Sequence, residues 1–183
     1  MSADPGSLHV VHYPDAALRR PAMPLTEIDE HVRAVAARMI ELMRQEQGIG
    51  LAAPQVGLPW RLFVADVPPG EDASPDDDPP SATRGVRVYV NPRLHGFEGE
   101  ATIREEGCLS LPDIRGDVPR SPRVSVTALG LDGRPFTERG AGLLARCWQH
   151  EVDHLDGVLI IDRMTQMSRL KNRAAIRDLE RAR

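Results

Sequence analysis

Residues 150–154 form a His-Glu-x-x-His pattern, which constrains this chain more than any other feature of its sequence. If this segment is an α-helix, His150 and His154 stand at positions i and i+4, so both imidazoles point from the same face. Two histidines placed in this way can bind one metal ion, with Glu151 beside them as a general base. The same pattern can also occur on an ordinary helix whose histidines are solvated or buried without metal. A third ligand from elsewhere in the chain would distinguish the two interpretations.

The residues around this pattern predict a helix over residues 142–156, ended by Gly157. One face of the helix is apolar, and a second face carries the titratable groups. This division is typical of a buried central helix with a site on it. The apolar face comprises Leu144, Trp148, Val152 and Leu155. The second face comprises Leu143, Cys147, His150, Glu151 and His154.

Two segments nearer the N-terminus predict further elements. The apolar run at residues 8–11 predicts a short strand, and residues 26–29 resemble a capping box that begins with Thr26 and opens a helix ended by Gly48. Apolar residues recur along this helix at helical spacing, so we expect them to pack in the core. They are Ile28, Val32, Val35, Met39, Leu42 and Met43.

The middle of the chain predicts antiparallel β-structure, because short apolar or alternating runs are separated by turn signals. Valines alternate with polar residues over residues 86–90, so we expect one buried face there. Asn91-Pro92 is expected to end that strand, and Asp132-Gly133 predicts a hairpin turn. The expected strands are residues 62–67, 86–90, 100–104, 123–129 and, after the central helix, 158–162.

A proline-rich, acidic segment interrupts this β-structure. Residues 68–85 contain five prolines and five acidic residues, which predicts a long, mobile surface loop within a hairpin. Residues 168–183 predict a charged, mostly solvated helix. A length of 183 residues suits one domain, so we expect residues 1–183 to form a single catalytic domain. The expected class is α+β, with antiparallel sheets packed around a central metal-binding helix, an N-terminal helix and a C-terminal helix.

Charge and cysteine content exclude several classes of function. The formal net charge is −4, without the broad basic excess of a protein that binds nucleic acid or an anionic membrane. The sequence shows no secretory signal and no apolar run long enough to span a membrane. Cys108 and Cys147 are too few for a disulfide framework. We therefore expect a soluble protein of a reducing compartment, in which a cysteine is free to bind metal.

Three sets of metal ligands are compatible with the sequence. Ile160 stands where one group of metalloproteases has a third histidine, so a protease site would need Glu180, the only glutamate downstream of the motif. Cys108 instead completes a His2Cys set, which suits zinc or iron(II) and leaves one coordination position open, as in a catalytic site. Cys147, three residues before the motif, could turn this set into a closed Cys2His2 structural site. We favour the His2Cys set, because a closed site gives Glu151 no task.

Residues 48–57 form a second unusual segment, in which small residues surround one polar side chain, Gln55. This composition is typical either of a tight loop or of a loop that lies against a ligand, with Gln55 as an amide donor. A phosphate-binding loop is excluded, since the glycine spacing is wrong and no Gly-Lys-Ser/Thr follows.

Three segments together resemble the signature motifs of peptide deformylase, in the same order and at suitable separations. The resemblance extends over roughly residues 8–164, with shorter matches at residues 13–15, 91–92 and 157–159. One departure is Ala141, where many family members have glutamate before Gly-Leu-Leu-Ala. The three motifs are Gly-Ile-Gly-Leu-Ala-Ala-Pro-Gln at 48–55, Glu-Gly-Cys-Leu-Ser at 106–110 and Gln-His-Glu-Val-Asp-His at 149–154.

This resemblance implies a hydrolase that removes the formyl group from N-formylmethionyl peptides of newly made proteins and releases formate. The metal ligands that it implies are Cys108, His150 and His154. The catalytic residues that it implies are Glu151 as acid and base, with the Gln55 side chain and the Leu109 backbone N–H as oxyanion donors. The substrate-binding residues that it implies, of which the last three line a methionine pocket, are Gly48, Ile49, Gly50, Glu106, Gly107, Leu143, Arg146 and Cys147.

The resemblance also implies one divalent metal ion, commonly Fe²⁺ in the family, with Zn²⁺, Ni²⁺ and Co²⁺ tolerated. Nascent N-formylmethionyl peptides are the expected substrates, which assigns the chain to protein biosynthesis and N-terminal methionine processing. The ribosome is a candidate partner and the cytoplasm is the expected location. We expect no membrane association and no direct binding of nucleic acid.

Overall fold

The computed structural model describes residues 4–181 and confirms the expected α+β class. Antiparallel sheets pack around helix α2 (Gly142–Leu155), with α1 (Glu30–Gln45) earlier in the chain and α5 (Arg173–Arg181) at the far end. Two short helices, α3 (Ile160–Arg163) and α4 (Gln166–Lys171), lie between α2 and α5. The strands in chain order are β1 (Gly50–Ala52), β2 (Leu62–Ala65), β3 (Arg87–Glu98), β4 (Thr102–Cys108), β5 (Leu111–Arg120), β6 (Arg123–Leu129) and β7 (Pro135–Ala141).

Five strands form one antiparallel sheet in the order β1-β2-β3-β6-β7, while β4 pairs with β5 in a separate two-stranded sheet. The β6–β7 hairpin confirms the predicted turn, in which Gly133 has a φ of 77°. The sequence did not predict β1 or β5. Pro112, Gly116 and Pro119 are weak strand formers, and β5 tolerates them because it pairs with a single neighbour.

The five-stranded sheet is buried on both faces at β1, β2 and the adjoining residues Tyr89 and Val90 of β3, whereas the alternation over residues 86–90 predicted one buried face. On one side Tyr89 contacts Phe63 and Trp148, with ring centroids 4.5 Å and 5.9 Å apart. On the other side Val90 packs in the cluster that includes α1. Because α2 covers one face and α1 covers the other, neighbouring residues along β3 are both buried.

Helix α1 begins at Glu30, with Asp29 as its N-cap instead of the predicted Thr26. The Asp29 side chain accepts a hydrogen bond from the backbone N–H of Val32 at 2.8 Å, which satisfies a free donor of the first turn. The predicted apolar stripe packs against β1 and β2, and its helical members are all buried. The sequence therefore predicted the buried face of this helix correctly and its first residue incorrectly.

Two predicted strands are absent from the described chain. Residues 8–11 form no ladder, because their only strand-like link is one hydrogen bond from the Val11 N–H to the Gln55 carbonyl. Residues 158–162 lead into α3, whose first turn is stabilised by the Asp162 carboxylate accepting from the backbone N–H three residues earlier. A local side-chain cap thus outweighs the apolar run that predicted a strand.

Asn91-Pro92 does not end β3, contrary to the prediction. The strand continues to Glu98, with a register shift between Val90 and Arg93. Such a shift lets a strand accommodate a residue without a backbone donor.

The segment 68–85 connects β2 with β3, which pair as expected. Its C-terminal part is attached to the body of the protein. The Thr83 hydroxyl accepts a hydrogen bond from the Val67 N–H at 2.9 Å, and the Ser81 carbonyl accepts one from the Leu144 N–H at 3.0 Å. The mobility of this segment stays a prediction.

The expected C-terminal helix is divided into α4 and α5, and residues 182 and 183 lie outside the described part. One side of α5 packs on a cluster formed by β5 and α3 through Ala175, Ile176 and Leu179. None of the helices within residues 4–181 is long and apolar enough to cross a membrane.

We expect Gly157→Ala to destabilise the fold more than Gly133→Ala. Both glycines have positive φ, 75° and 77°, so alanine at either position adds backbone strain of about 1–2 kcal/mol. A Cβ at residue 133 would meet nothing within 4 Å, whereas one at residue 157 would lie 2.7 Å from the backbone oxygen of Arg19. Urea unfolding of both variants measures the difference. Equal losses of stability would contradict the importance of this contact.

Candidate metal centre

Cys108, at the end of β4, meets His150 and His154 of α2. The Cys108 Sγ lies 3.2 Å from Nε2 of His154, and that nitrogen lies 3.2 Å from Nε2 of His150. One ligand atom from each residue lies within 4.8 Å of the others. Within residues 4–181, these three side chains are the group that can hold a metal ion.

The separations and donor types both fit a metal. Tetrahedral N and S ligands with bonds of roughly 2.0–2.3 Å lie about 3.3–3.6 Å apart. The two 3.2 Å contacts at His154 are close to this range. One thiolate and two imidazoles suit metals of intermediate softness and leave an open position when the ion is four-coordinate. The predicted His2Cys set is therefore a metal site.

Glu106 orients His150. Its carboxylate lies 3.1 Å from Nδ1 of His150, so Nδ1–H donates to the carboxylate and Nε2 is left for the metal. Burial raises the pKa of Glu106, but hydrogen bonds from His150 and Arg120 outweigh it and lower the pKa to about 2. Without metal, burial lowers the pKa of His150, but hydrogen bonds with Cys108 and Glu106 outweigh burial and raise it well above its ordinary value.

His154 is the neutral one of the two histidines. Burial and the neighbouring positive charge of His150 lower its pKa well below the ordinary value. A neutral imidazole is the form that binds metal. The Nδ1 atom of His154 is buried and has no hydrogen-bond partner among the described residues.

Glu151 lies beside these ligands with little access to solvent. Burial raises the pKa of its carboxyl group to about 7. Its Oε2 atom is buried and has no hydrogen-bond partner among residues 4–181. Its Oε1 atom packs so closely on β1 that a Cβ at Gly50 would lie only 2.3 Å away. A carboxyl group with a pKa near neutrality can both accept and donate a proton.

The Gln55 side chain has a defined orientation. The Ala52 N–H donates to Oε1 of Gln55 at 2.8 Å, which directs Nε2 the other way. Nε2 donates to the hydroxyl of Ser110 at 3.3 Å and lies 3.6 Å from the Cys108 Sγ. An amide donor thus faces the metal ligands, as expected of a loop that lies against a ligand.

A cavity of about 530 Å³ opens onto these groups. Its walls include every predicted site residue apart from His154, which is buried. The predicted catalytic residues on its walls are Gln55, Leu109 and Glu151. The predicted substrate-binding residues on its walls are Gly48, Ile49, Gly50, Glu106, Gly107, Leu143, Arg146 and Cys147.

The two rival ligands, Cys147 and Glu180, have other partners. The Cys147 Sγ lies 3.7 Å from the carbonyl oxygen of Ile49, and burial raises the pKa of this thiol well above its ordinary value. The Glu180 carboxylate accepts a hydrogen bond from the Tyr13 hydroxyl at 2.8 Å. Neither belongs to the metal-binding group. These contacts disfavour both the closed Cys2His2 site and the protease site.

Sequence reasoning missed a buried array of ion pairs behind the ligands. Arg120 donates through Nε and Nη2 to the two oxygens of Glu106, at 3.0 Å each, and through Nη1 to Asp153 at 2.5 Å. Arg146 also donates to Glu106, at 2.7 Å, and Arg163 donates to Asp153 at 2.8 Å. Charged residues usually indicate solvent exposure, so no sequence pattern marked these as buried.

Comparisons with known proteins agree with this geometry. A family model described as "Polypeptide deformylase" matches residues 7–170. A peptide deformylase of Acidobacterium capsulatum is 45% identical over 173 residues, which cover 94% of this chain and 95% of that protein. The crystal structure of a Plasmodium falciparum peptide deformylase superposes with a TM-score of 0.83 at 33% identity, covering 94% of this chain and 95% of the other. A Thermotoga maritima peptide deformylase gives a TM-score of 0.76 at 39% identity, covering 86% and 97%.

The stability of the metal-free protein should depend on pH through Glu106. Its folded-state pKa, about 2, lies below the ordinary 4.5, so its charge stabilises the fold above about pH 4.5. That contribution is lost as pH falls towards 2. We therefore expect the difference in unfolding free energy between the unmodified protein and Glu106→Gln to shrink between about pH 5 and pH 2.5, as measured by urea unfolding with a chelator present. A difference that is constant over this range would refute the assignment.

Proposed function

This chain belongs to the polypeptide deformylase family, and we propose that its own residues perform the family's reaction at the Cys108–His150–His154 centre. It is a hydrolase that removes the formyl group from N-formylmethionine peptides. The observation that supports these roles is that Cys108, His150, Glu151 and Gln55 line one cavity, while the buried His154 lies 3.2 Å from each of the other two ligands.

The metal site supplies Lewis acidity when it is loaded and lowers the pKa of water at the ion towards neutrality. We propose Fe²⁺ as the native ion, with Zn²⁺, Ni²⁺ or Co²⁺ as replacements. One sulfur and two nitrogen donors are compatible with all four ions. The buried Glu106 carboxylate supports metal binding by His150, because it holds the ring of this histidine with Nε2 towards the other ligands.

Glu151 is the proposed acid and base. It accepts a proton from the attacking water and later donates that proton to the amine that leaves. Its unpartnered, buried Oε2 atom and its pKa of about 7 support both steps near neutral pH. The backbone of β1 lies directly against its Oε1 atom, which limits how far the carboxylate can move.

Gln55 and Leu109 are the proposed donors to the oxyanion that develops on the formyl oxygen. The Gln55 amide nitrogen is close to the Cys108 sulfur and is oriented by the Ala52 N–H. Leu109 follows Cys108 directly, so its backbone N–H lies at the same end of β4. Loss of one such donor typically costs about 3 kcal/mol of transition-state stabilisation.

The lining of the cavity provides the proposed peptide-binding surface. Residues 48–50, Glu106 and Gly107 all belong to this lining. We propose that the methionine side chain lies among Leu143, Cys147 and the carbon chain of Arg146. The Arg146 guanidinium is already bound to Glu106 and to the Val118 and Thr102 carbonyls, so its aliphatic part is what remains for a substrate. The full proposed peptide-binding surface comprises Gly48, Ile49, Gly50, Glu106, Gly107, Leu143, Arg146 and Cys147.

We also propose the cellular setting. Nascent N-formylmethionyl peptides are the natural substrates, the ribosome is a candidate partner, and the cytoplasm is the location. Residues 1–183 act as a single catalytic domain in this proposal. The support for these points is membership of the family.

Glu151→Gln should retain the metal and lose at least about 100-fold in turnover, because a neutral amide cannot accept the proton. The assay is formate release from formyl-Met-Ala-Ser by enzyme loaded anaerobically with iron, with metal content measured in parallel. Glu41→Gln, at an exposed carboxylate of α1, is the matched control and should behave as the unmodified enzyme. Fully loaded enzyme that releases no formate would overturn the proposed function, and active Glu151→Gln would overturn the role of Glu151.

Gly50→Ala should lower kcat while metal content is unchanged. The new Cβ would lie 2.3 Å from Oε1 of Glu151, so either the carboxylate or β1 must move. Gly48→Ala is the comparison, since its Cβ would meet the flexible end of the Leu109 side chain at 2.8 Å and the backbone oxygen of Gly50 at an ordinary contact distance of 3.4 Å. We expect the larger loss of kcat for Gly50→Ala. The reverse order would show that Glu151 tolerates displacement.

A further inference from the structure

The three metal ligands come from two separate elements, which must be held at a defined distance. Cys108 ends β4, while His150 and His154 lie one turn apart on α2. These elements belong to different parts of the fold, since β4 pairs with β5 alone and α2 packs mainly on the five-stranded sheet. A metal site binds more tightly when its ligands are held near their bound positions before the ion arrives.

Arg120 of β5 contacts a carboxylate on each of these elements. Its Nε and Nη2 atoms bind both oxygens of Glu106, which lies two residues before Cys108 on β4. Its Nη1 atom binds Asp153, which lies between the two histidines on α2. The Arg120 side chain is 6% exposed, so these charge-assisted contacts are made away from water.

We propose that Arg120 is a positioning residue of the metal centre, which holds the part of α2 between the two histidines at a defined distance from β4 by joining Glu106 to Asp153. It touches none of the ligands and acts through Glu106 and Asp153. A planar guanidinium with five donors can bind two carboxylates in fixed directions at once. A lysine ammonium supplies the same charge from a single point, so it holds the two elements less strictly.

The two neighbouring arginines do not make this link. Arg146 lies on α2 and joins it to Glu106, but it stands four residues before His150 and makes no hydrogen bond or ion pair with Asp153. Arg163 contacts Asp153 and not Glu106, and its side chain is about half exposed (51%). Among the described residues, Arg120 alone makes ion pairs with both carboxylates.

Removal of Arg120 should weaken metal binding without unfolding the protein. Without Arg120, Glu106 still has Arg146 and His150 as partners, and Asp153 still has Arg163. Each carboxylate stays paired, but the link between them is lost. We therefore expect weaker metal binding in a protein that still folds, by about 10-fold, the lower end of the range for removing a direct partner of a metal ligand, because Arg120 acts one contact further out.

The test compares Arg120→Met and Arg120→Lys with Arg61→Met. Arg61 pairs with Asp156 just beyond α2 and with the Pro92 carbonyl, so its loss also removes an ion pair near this helix, without touching Glu106 or Asp153. The affinity for Co²⁺ is measured by competition with a chelator, and the visible spectrum of bound Co²⁺ reports its geometry. Circular dichroism establishes that each variant is folded. The inference rests on the metal centre of the proposed function, but the measurement needs no turnover, so an inactive enzyme would not affect it.

We expect the Co²⁺ dissociation constant to rise about 10-fold for Arg120→Met, to rise less for Arg120→Lys, and to stay unchanged for Arg61→Met. Should Arg120→Met fail to fold, the comparison of Arg120→Lys with Arg61→Met decides. A folded Arg120 variant with the original Co²⁺ affinity and spectrum would overturn the proposal. An equal loss of affinity in Arg61→Met would also overturn it, because any weakened packing of α2 would then explain the effect.

Discussion

Burial of the Glu106 carboxylate is the constraint on which the metal centre depends. A buried carboxylate is stable only when it is paired and hydrogen-bonded. Glu106 receives its donors from Arg120 of β5 and from Arg146 and His150 of α2. Satisfying this one group therefore brings β4, β5 and α2 together. The same assembly places Cys108, two residues further along β4, beside the histidines.

Hydrophobic packing supplies the complementary restraint. Trp148 holds α2 on the five-stranded sheet through contacts with Tyr89 and with β7, where a Cβ at Gly140 would lie 2.5 Å from the indole ring. Gly50 permits an equally close approach of Glu151 to β1. The helix that carries the chemistry is thus held by polar contacts on one side and by close packing on the other, which leaves its functional groups a narrow range of positions.

The sequence predicted those parts of the site that depend on local spacing or on motifs. His150 and His154 follow from helical periodicity, and Cys108 follows from the lack of a suitable ligand downstream. Arg120 was missed because its role depends on contacts between residues far apart in the chain, and charge alone indicates exposure. The strand errors have a similar origin. Residues 159–161 are apolar because they pack in the cluster with β5, and the Asp162 side chain caps the helix that begins at Ile160.

The outer end of the ion-pair array has a consequence for behaviour in salt. Arg163 is about half exposed (51%), so dissolved ions can weaken its attraction to Asp153. The next two links, from Asp153 to Arg120 and from Arg120 to Glu106, lie in the interior, where screening is weak. Ionic strength therefore acts on the last link of the array and reaches the metal ligands only through two contacts that it hardly affects. Dissolved ions therefore reach the metal ligands through the open cavity and not along the charged chain that connects these ligands to the surface at Arg163.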